Sequence, residues 1–124
     1  MILGMGTDII EIQRLALVLK RTGDSFAQRI LTPAEMYQFH NNKQPVRLLA
    51  KRFAVKESVA KALGTGIGRG VSWQDIELYH DDMGKPHVKL TSGAAERLAH
   101  LGATICHVSI SDEKHYATAF SIIE

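Results

Sequence analysis

Residues 45–63, PVRLLAKRFAVKESVAKAL, form the longest regular stretch of the chain and decide its fold. Proline at the head of this stretch and Gly64 just past its end are typical signals for the start and stop of a helix. Apolar residues recur within it at helical spacing, namely Leu49, Phe53, Val59, Ala60 and Leu63. The stretch therefore predicts a long helix whose broad apolar side packs against another layer.

The segment before this helix predicts an opening strand. Residues 2–12, ILGMGTDIIEI, are rich in β-branched and apolar side chains. Strand alternation places one set of residues on a common face: Ile2, Gly4, Gly6, Asp8, Ile10 and Ile12. Burying an unpaired carboxylate costs several kcal/mol, so Asp8 on this face needs a metal, a cation or backbone donors nearby. The alternative is that Asp8 lies at a sheet edge and points into solvent.

The remaining elements alternate in type. Thr32, Pro33 and Glu35 carry a helix start signal of a capping threonine, a proline and a glutamate three residues after the cap. That helix is expected to end near His40. The other predictions are a helix over 14–21, a helix capped by Asp24 and running through Leu31, a hairpin of 75–80 with 86–90, a helix over 92–101, and strands over 104–111 and 116–123. Together they predict an α+β fold, with helices packed on an antiparallel β-sheet.

Composition limits the possible classes of protein. The 124 residues are 45% hydrophobic and 23% charged, which predicts one globular domain spanning residues 1–124. A single cysteine, Cys106, excludes an internal disulfide framework and a multi-cysteine metal site, and a reducing, cytoplasmic location fits best. The apolar N-terminus is too short for a membrane span, and the net charge of +2 is too mild to indicate nucleic-acid binding.

Glu57 is the second candidate functional residue, because it lies mid-helix on the margin of the apolar side. The simplest interpretation is an exposed i, i+4 pair with Lys61, contributing about 0.2–0.5 kcal/mol. A second interpretation combines Glu57 with Asp8. Mg²⁺ typically uses one or two protein carboxylates together with phosphate oxygens and water, and lysine supplies a point charge for phosphate.

Other motifs give weaker signals. The glycine-rich loop from Gly64 to Gly70 could approach a phosphate, but it follows a helix and does not open one as a P-loop does. Several basic residues make the helices locally basic and could attract acidic partners: Arg14, Arg21, Arg29, Lys51, Arg52 and Lys56. No HExxH or GxSxG motif is present, which disfavours a zinc site of that type and a serine nucleophile elbow.

Two segments carry a resemblance to a known family. Residues 6–12, GTDIIEI, followed by Arg14, and residues 52–64, RFAVKESVAKALG, resemble the two signature motifs of the 4′-phosphopantetheinyl transferases. The second motif is the more specific. Chain length and motif spacing are similar to those of the compact, single-domain holo-acyl-carrier-protein synthase branch, and the similarity extends to the hairpin at 84–86 and to residues 107–111.

The resemblance implies the fold of this family and a reaction of fatty acid biosynthesis. The phosphopantetheine arm of coenzyme A would pass to a serine of apo acyl carrier protein with Mg²⁺, releasing adenosine 3′,5′-bisphosphate. It implies Asp8 and Glu57 as metal ligands, and Glu57 and Lys61 as catalytic residues. Lys61 would contact the coenzyme A phosphates, joined in the pocket by Arg52, Gly64, Thr65 and Gly66. Arg14 and Arg21 would meet the acidic carrier protein, and a homotrimer would form its active sites between subunits.

Two further points bear on this interpretation. Many relatives carry histidine after the S-x-S/T of the C-terminal strand, whereas this chain has Asp112 after Ser111, so a coenzyme contact of that histidine cannot be transferred. The competing hypotheses are a non-catalytic, small basic module that binds an acidic protein or RNA, and a subunit-interface protein whose carboxylates are structural. The RNA hypothesis lacks aromatic platforms, since only 6% of residues are Phe, Trp or Tyr.

Overall fold

The computed structural model describes residues 1–124 and confirms the α+β class. The elements follow in the order β1 (Gly4–Glu11), α1 (Ile12–Thr22), α2 (Asp24–Ile30), α3 (Pro33–His40), α4 (Pro45–Ala62), β2 (Ile76–His80), β3 (Pro86–Leu90), α5 (Ser92–His100), β4 (Cys106–Asp112) and β5 (Tyr116–Ile123). A short 3-10 turn, Trp73–Asp75, precedes β2. No helix has the length and apolar character needed to cross a bilayer.

Two antiparallel sheets form the β layer. Strand β5 lies in the centre of a three-stranded sheet in the order β1-β5-β4, and β2 pairs with β3 in a separate hairpin. Asp8 of β1 is opposite Ala119 of β5, and Gly6 is opposite Ser121. Because side chains alternate along a strand, Gly4, Gly6, Asp8 and Ile10 share the inner face, as the sequence predicts.

Helix α4 packs closely on this inner face because the strands carry small residues there. A Cβ atom added to Gly6 would lie 2.0 Å from the carbonyl oxygen of Ser58. On β5 the matching inner residues include Ala119 and Ser121, and the hydroxyls of Ser58 and Ser121 are hydrogen-bonded to each other. The close approach holds α4 directly against β1. Side chains at the edge of this helix therefore lie next to side chains of the strand.

A buried ionic cluster ties α4 to α3 and β2. The Nζ of Lys56 donates to Glu35 Oε1 at 2.6 Å and to the Ile30 carbonyl at 2.8 Å, and both side chains are almost wholly buried (0% and 1% exposed). Arg52 Nη1 lies 3.5 Å from Glu35 Oε2, which also accepts the Leu78 N–H. Lys56 and Arg52 are thus internal, and the prediction that they form part of a basic helix surface is wrong.

The observed ends of the helices and strands show where local sequence signals predicted them correctly and where they did not. The capping box of Thr32 and Glu35 is present, which confirms that prediction. Asp24 does not cap α2, because Gly23 occupies the cap position with φ +62° and Asp24 is the first helical residue. Ile12 begins α1 instead of ending β1, so the predicted strand is too long by one residue at that end.

Candidate active site

Asp8 lies at the contact between β1 and α4. Its side chain is only 17% exposed, and its Oδ1 accepts a hydrogen bond from Lys61 Nζ at 3.1 Å. The same ammonium donates to the Thr7 carbonyl at 2.9 Å. The sequence required a partner for this carboxylate, and Lys61 is that partner. The contact joins residues that are 53 positions apart.

Glu57 lies one turn before Lys61 on α4 and is not paired with it, because Lys61 turns toward Asp8 instead. The hydrogen bond of Glu57 comes from the Trp73 indole, whose Nε1 donates to Oε1 at 3.4 Å. Partial burial raises the pKa of Glu57 above its ordinary value, and the neighbouring Asp8 carboxylate acts in the same direction. Trp73 and Lys61 act in the opposite direction. The exposed i, i+4 pair considered from the sequence is therefore not formed.

Asp8, Glu57 and Arg14 line one cleft of about 550 Å³ between β1, α1, α2 and α4. The rest of its wall is apolar, formed by Ile9, Ile10, Leu15, Leu17, Val18, Phe26 and Phe53. Two carboxylates therefore stand in a largely hydrophobic environment, which strengthens their interaction with a cation. Arg21 is two turns beyond Arg14 on α1, and both arginines are exposed.

Some of the predicted site residues lie outside the Asp8–Glu57 cleft. Arg52 lines a second groove of about 570 Å³, together with Arg47, Lys51 and His80. The backbone N–H groups of Gly64, Thr65 and Gly66 donate to the Lys61 and Ala60 carbonyls, so they close the helix end. Asp112 accepts a hydrogen bond from Arg47 at 2.8 Å, beside this second groove. Within one chain, neither Arg52 nor the loop amides point into the Asp8–Glu57 cleft.

The donor set at the cleft fits Mg²⁺. Both candidate ligands are carboxylates, and the Asp8 charge adds to the larger effect of burial in raising the pKa of Glu57. No group of three or more His, Cys, Asp or Glu side chains suited to a metal is present, so a cation here would draw its other ligands from water or phosphate. Mg²⁺ is commonly bound in this way, by one or two carboxylates plus substrate oxygens.

Two residues of the site neighbourhood were missed from the sequence. Trp73 was not singled out, although it is the only tryptophan in the chain and follows the glycine-rich loop. Glu35 was read only as a capping residue, although its carboxylate also binds Lys56. The sequence carries no local signal for this second role of Glu35, because its contact with Lys56 depends on how α3 packs against α4.

Residues 4–121 match the sequence profile of the 4′-phosphopantetheinyl transferase superfamily. The chain belongs to this superfamily. It is 54% identical to the holo-[acyl-carrier-protein] synthase of Shewanella woodyi over 131 residues, covering 100% of this chain and 99% of that protein. The crystal structure of the Neisseria meningitidis synthase superposes with a TM-score of 0.94 at 43% identity, covering 100% of this chain and 99% of that one.

The comparison with a ligand-bound relative is consistent with the resemblance seen in the sequence. The holo-[acyl-carrier-protein] synthase of Helicobacter pylori, solved in complex with coenzyme A, superposes with a TM-score of 0.84 at 28% identity, over 97% of this chain and 99% of that chain. These superpositions confirm for this chain the fold that the two sequence motifs implied.

Proposed function

We propose that this chain transfers the 4′-phosphopantetheine group of coenzyme A to a serine of apo acyl carrier protein and releases adenosine 3′,5′-bisphosphate. The observation that carries the proposal is the convergence of Asp8, Glu57 and Lys61 at the contact of β1 with α4. These residues come from the two motifs that resemble the family. The similarity to synthases of known name over the whole chain supports the same reaction.

In the proposed reaction the serine hydroxyl attacks the β-phosphorus of the pyrophosphate. A bond forms between serine oxygen and phosphorus, and the bond to the bridging oxygen breaks, so that the nucleotide leaves with that oxygen. Mg²⁺ held by Asp8 and Glu57 would neutralise the charge that develops on the phosphate oxygens. Lys61 adds a second positive charge at the same place. Glu57 would accept the serine proton, either directly or through a water molecule.

The carrier protein would dock on α1. Arg14 and Arg21 are exposed and about two turns apart, and Arg14 also lines the cleft. An acidic helix of the carrier would bring its serine to the mouth of the cleft while its carboxylates meet these guanidinium groups. Charge complementarity of this kind increases the rate of association and sets orientation.

A homotrimer with active sites between subunits is part of the proposal. The outer face of the β1-β5-β4 sheet exposes large apolar residues: Met5 is 62% exposed, Ile9 66% and Phe120 43%. Their adjacent registers make one apolar surface, because Thr7 lies opposite Phe120 and Met5 opposite Ile122.

Mass spectrometry of an apo carrier protein tests the function. The carrier is incubated with the purified chain, coenzyme A and Mg²⁺, and a phosphopantetheine mass increase is expected. Asp8→Ala and Glu57→Ala should retain the fold by circular dichroism and lose about 10²–10³-fold in rate, the usual cost of removing one electrostatic contact in a transition state. Near-normal turnover by both variants contradicts the metal assignment. No mass increase with the unmodified chain, together with tight binding of RNA, favours a binding module.

A further inference from the structure

The short 3-10 turn at Trp73–Asp75 places an indole ring against the cleft wall. The ring of Trp73 stacks on Phe53 with centroids 6.4 Å apart and an interplanar angle of 30°. The turn is closed by a capping box between Ser72 and Asp75. The buried Lys56 also donates to the Trp73 carbonyl at 3.1 Å. Trp73 is thus held from both its ring and its backbone.

The indole N–H has a specific partner. Trp73 Nε1 donates to Glu57 Oε1 at 3.4 Å, and the Glu57 carboxylate makes no other hydrogen bond in the structure. An indole is a donor only, so it satisfies one carboxylate oxygen and leaves the second oxygen free. Lys56 and Glu57 are adjacent on α4. The lysine fixes the Trp73 backbone, and the tryptophan fixes the glutamate side chain.

We propose that Trp73 is a positioning residue that holds the Glu57 carboxylate in the orientation used to bind the divalent cation. The inference rests on the proposed function, because it assigns to the indole the task of preorganising one ligand of that metal. A glutamate side chain has three torsions. A hydrogen bond to one of its oxygens restricts these torsions in advance, so less conformational entropy is lost when a cation binds. Partners of this type commonly contribute 10- to 100-fold to metal affinity or activity.

Two variants separate this role from simple packing. Trp73→Phe keeps an aromatic ring against Phe53 but removes the N–H donor. Gln74→Ala is the matched control from the same turn: its amide donates to the Gln28 and Leu31 carbonyls at 2.6 and 3.1 Å, and it has no hydrogen bond to Glu57. This control therefore loosens the turn and leaves the hydrogen bond to Glu57 in place.

The experiment measures Mn²⁺ affinity directly, from the electron paramagnetic resonance signal of free Mn²⁺ in the presence of coenzyme A and without carrier protein. We expect Trp73→Phe to weaken Mn²⁺ binding about 10-fold while its melting temperature stays close to that of the unmodified chain. Gln74→Ala should bind Mn²⁺ normally. Unchanged affinity in Trp73→Phe overturns the inference, as does an equal loss in Gln74→Ala, which would assign the effect to the turn.

The transfer reaction provides the second readout. Trp73→Phe should need about 10-fold more Mg²⁺ for half-maximal rate and approach the unmodified kcat at saturating Mg²⁺, since the ligand is present but less ordered. If the unmodified chain transfers no phosphopantetheine, the proposed function fails. If the unmodified chain does transfer phosphopantetheine, and its rate depends on Mg²⁺ concentration in the same way as the rate of Trp73→Phe, only the proposed role of Trp73 fails.

Discussion

Position 6 of β1 tolerates no side chain. A Cβ there would lie 2.0 Å from the Ser58 carbonyl oxygen and 2.9 Å from the Lys61 Cβ, so the strand or helix α4 would have to move. The backbone is not in an unusual conformation at Gly6, and space alone accounts for glycine at this position. The same close approach places Lys61 beside Asp8, two residues farther along the strand.

We therefore expect Gly6→Ala to lower the free energy of unfolding by about 3 kcal/mol, as overpacking of a core does. The measurement is urea denaturation followed by circular dichroism. Thr7→Ala is the control in the same strand, because it removes an exposed γ-methyl group and the hydroxyl hydrogen bond to the Ala119 carbonyl at 3.1 Å without touching α4, and it should cost about 1 kcal/mol. An equal effect of the two substitutions would show that the close helix contact is unimportant.

Single residues also show which features can be predicted from the sequence. The capping box of Thr32 and Glu35 was predictable because both partners lie within four residues and the local pattern is sufficient. The pairing of Glu35 with Lys56 was not predictable, because it joins helices 21 residues apart and depends on how they pack. A sequence pattern reports a lysine as polar and helix-forming, whereas burial is a property of the assembled core.

At the scale of elements, helix α1 forms one wall of the cleft and presents arginines to solvent. Reversing Arg14 and Arg21 to Glu should weaken carrier-protein binding more than coenzyme A binding, since attraction to the acidic carrier becomes repulsion. Isothermal titration calorimetry with each ligand measures the two affinities. Arg29→Glu on α2 is a charge-matched control. Equal losses for both ligands would contradict docking on α1.

The β2–β3 hairpin has a pH-sensitive turn. The carboxylate of Asp81 accepts the Met83 and Lys85 N–H groups at 2.9 and 3.0 Å and contacts His87 Nε2 at 2.9 Å. The hydrogen bond from His87, followed by that from Lys85, lowers the pKa of Asp81 below its ordinary value of 3.8. Between the two pKa values the unfolded chain binds more protons, so this contribution to stability is complete above pH 3.8 and is lost as pH falls through the lower value.

Carboxyl NMR should therefore show Asp81 titrating below the ordinary aspartate range, with the Met83 and Lys85 amide resonances moving in the same step. His87→Phe keeps a ring to stack on Tyr79, whose centroid is 5.3 Å from that of His87, but removes the donor. The Asp81 pKa should then rise toward its ordinary value. An unchanged titration in this variant would exclude the hydrogen bond from His87 as its main cause.

The elements themselves were largely predictable, because helix caps, glycine stops and alternating strands are local signals. The site was predictable in part. Asp8 stood out as a carboxylate on an apolar strand face, and Glu57 as a carboxylate at the margin of an apolar helix side. Their partners were not predictable from spacing, since Lys61 bonds to a strand 53 residues away and Trp73 comes from a turn after the helix.

At the scale of the whole molecule, the outer face of the three-stranded sheet exposes the apolar side chains of Met5, Ile9 and Phe120. Phe120→Asp should convert the proposed trimer to monomers, because a charge at the centre of an apolar interface cannot be solvated there. Light scattering after size-exclusion chromatography measures the mass. Tyr37→Asp, on an exposed position of α3 that is away from this sheet, is the control and should leave the mass unchanged. A monomeric unmodified chain would contradict the proposed assembly, and an unchanged trimer in Phe120→Asp would exclude this face.

Even-numbered and odd-numbered residues of strand β1 face opposite sides of the sheet. Even positions hold the inward glycines and the carboxylate at position 8, and odd positions hold the outward side chains of Met5, Thr7 and Ile9. One extra residue inserted before Asp8 would rotate the acid into the outer surface and turn a hydrophobic neighbour toward the helix. The proposed cation site and the proposed subunit contact therefore depend on the pleat of the same strand, so a shift in the register of β1 would disrupt both.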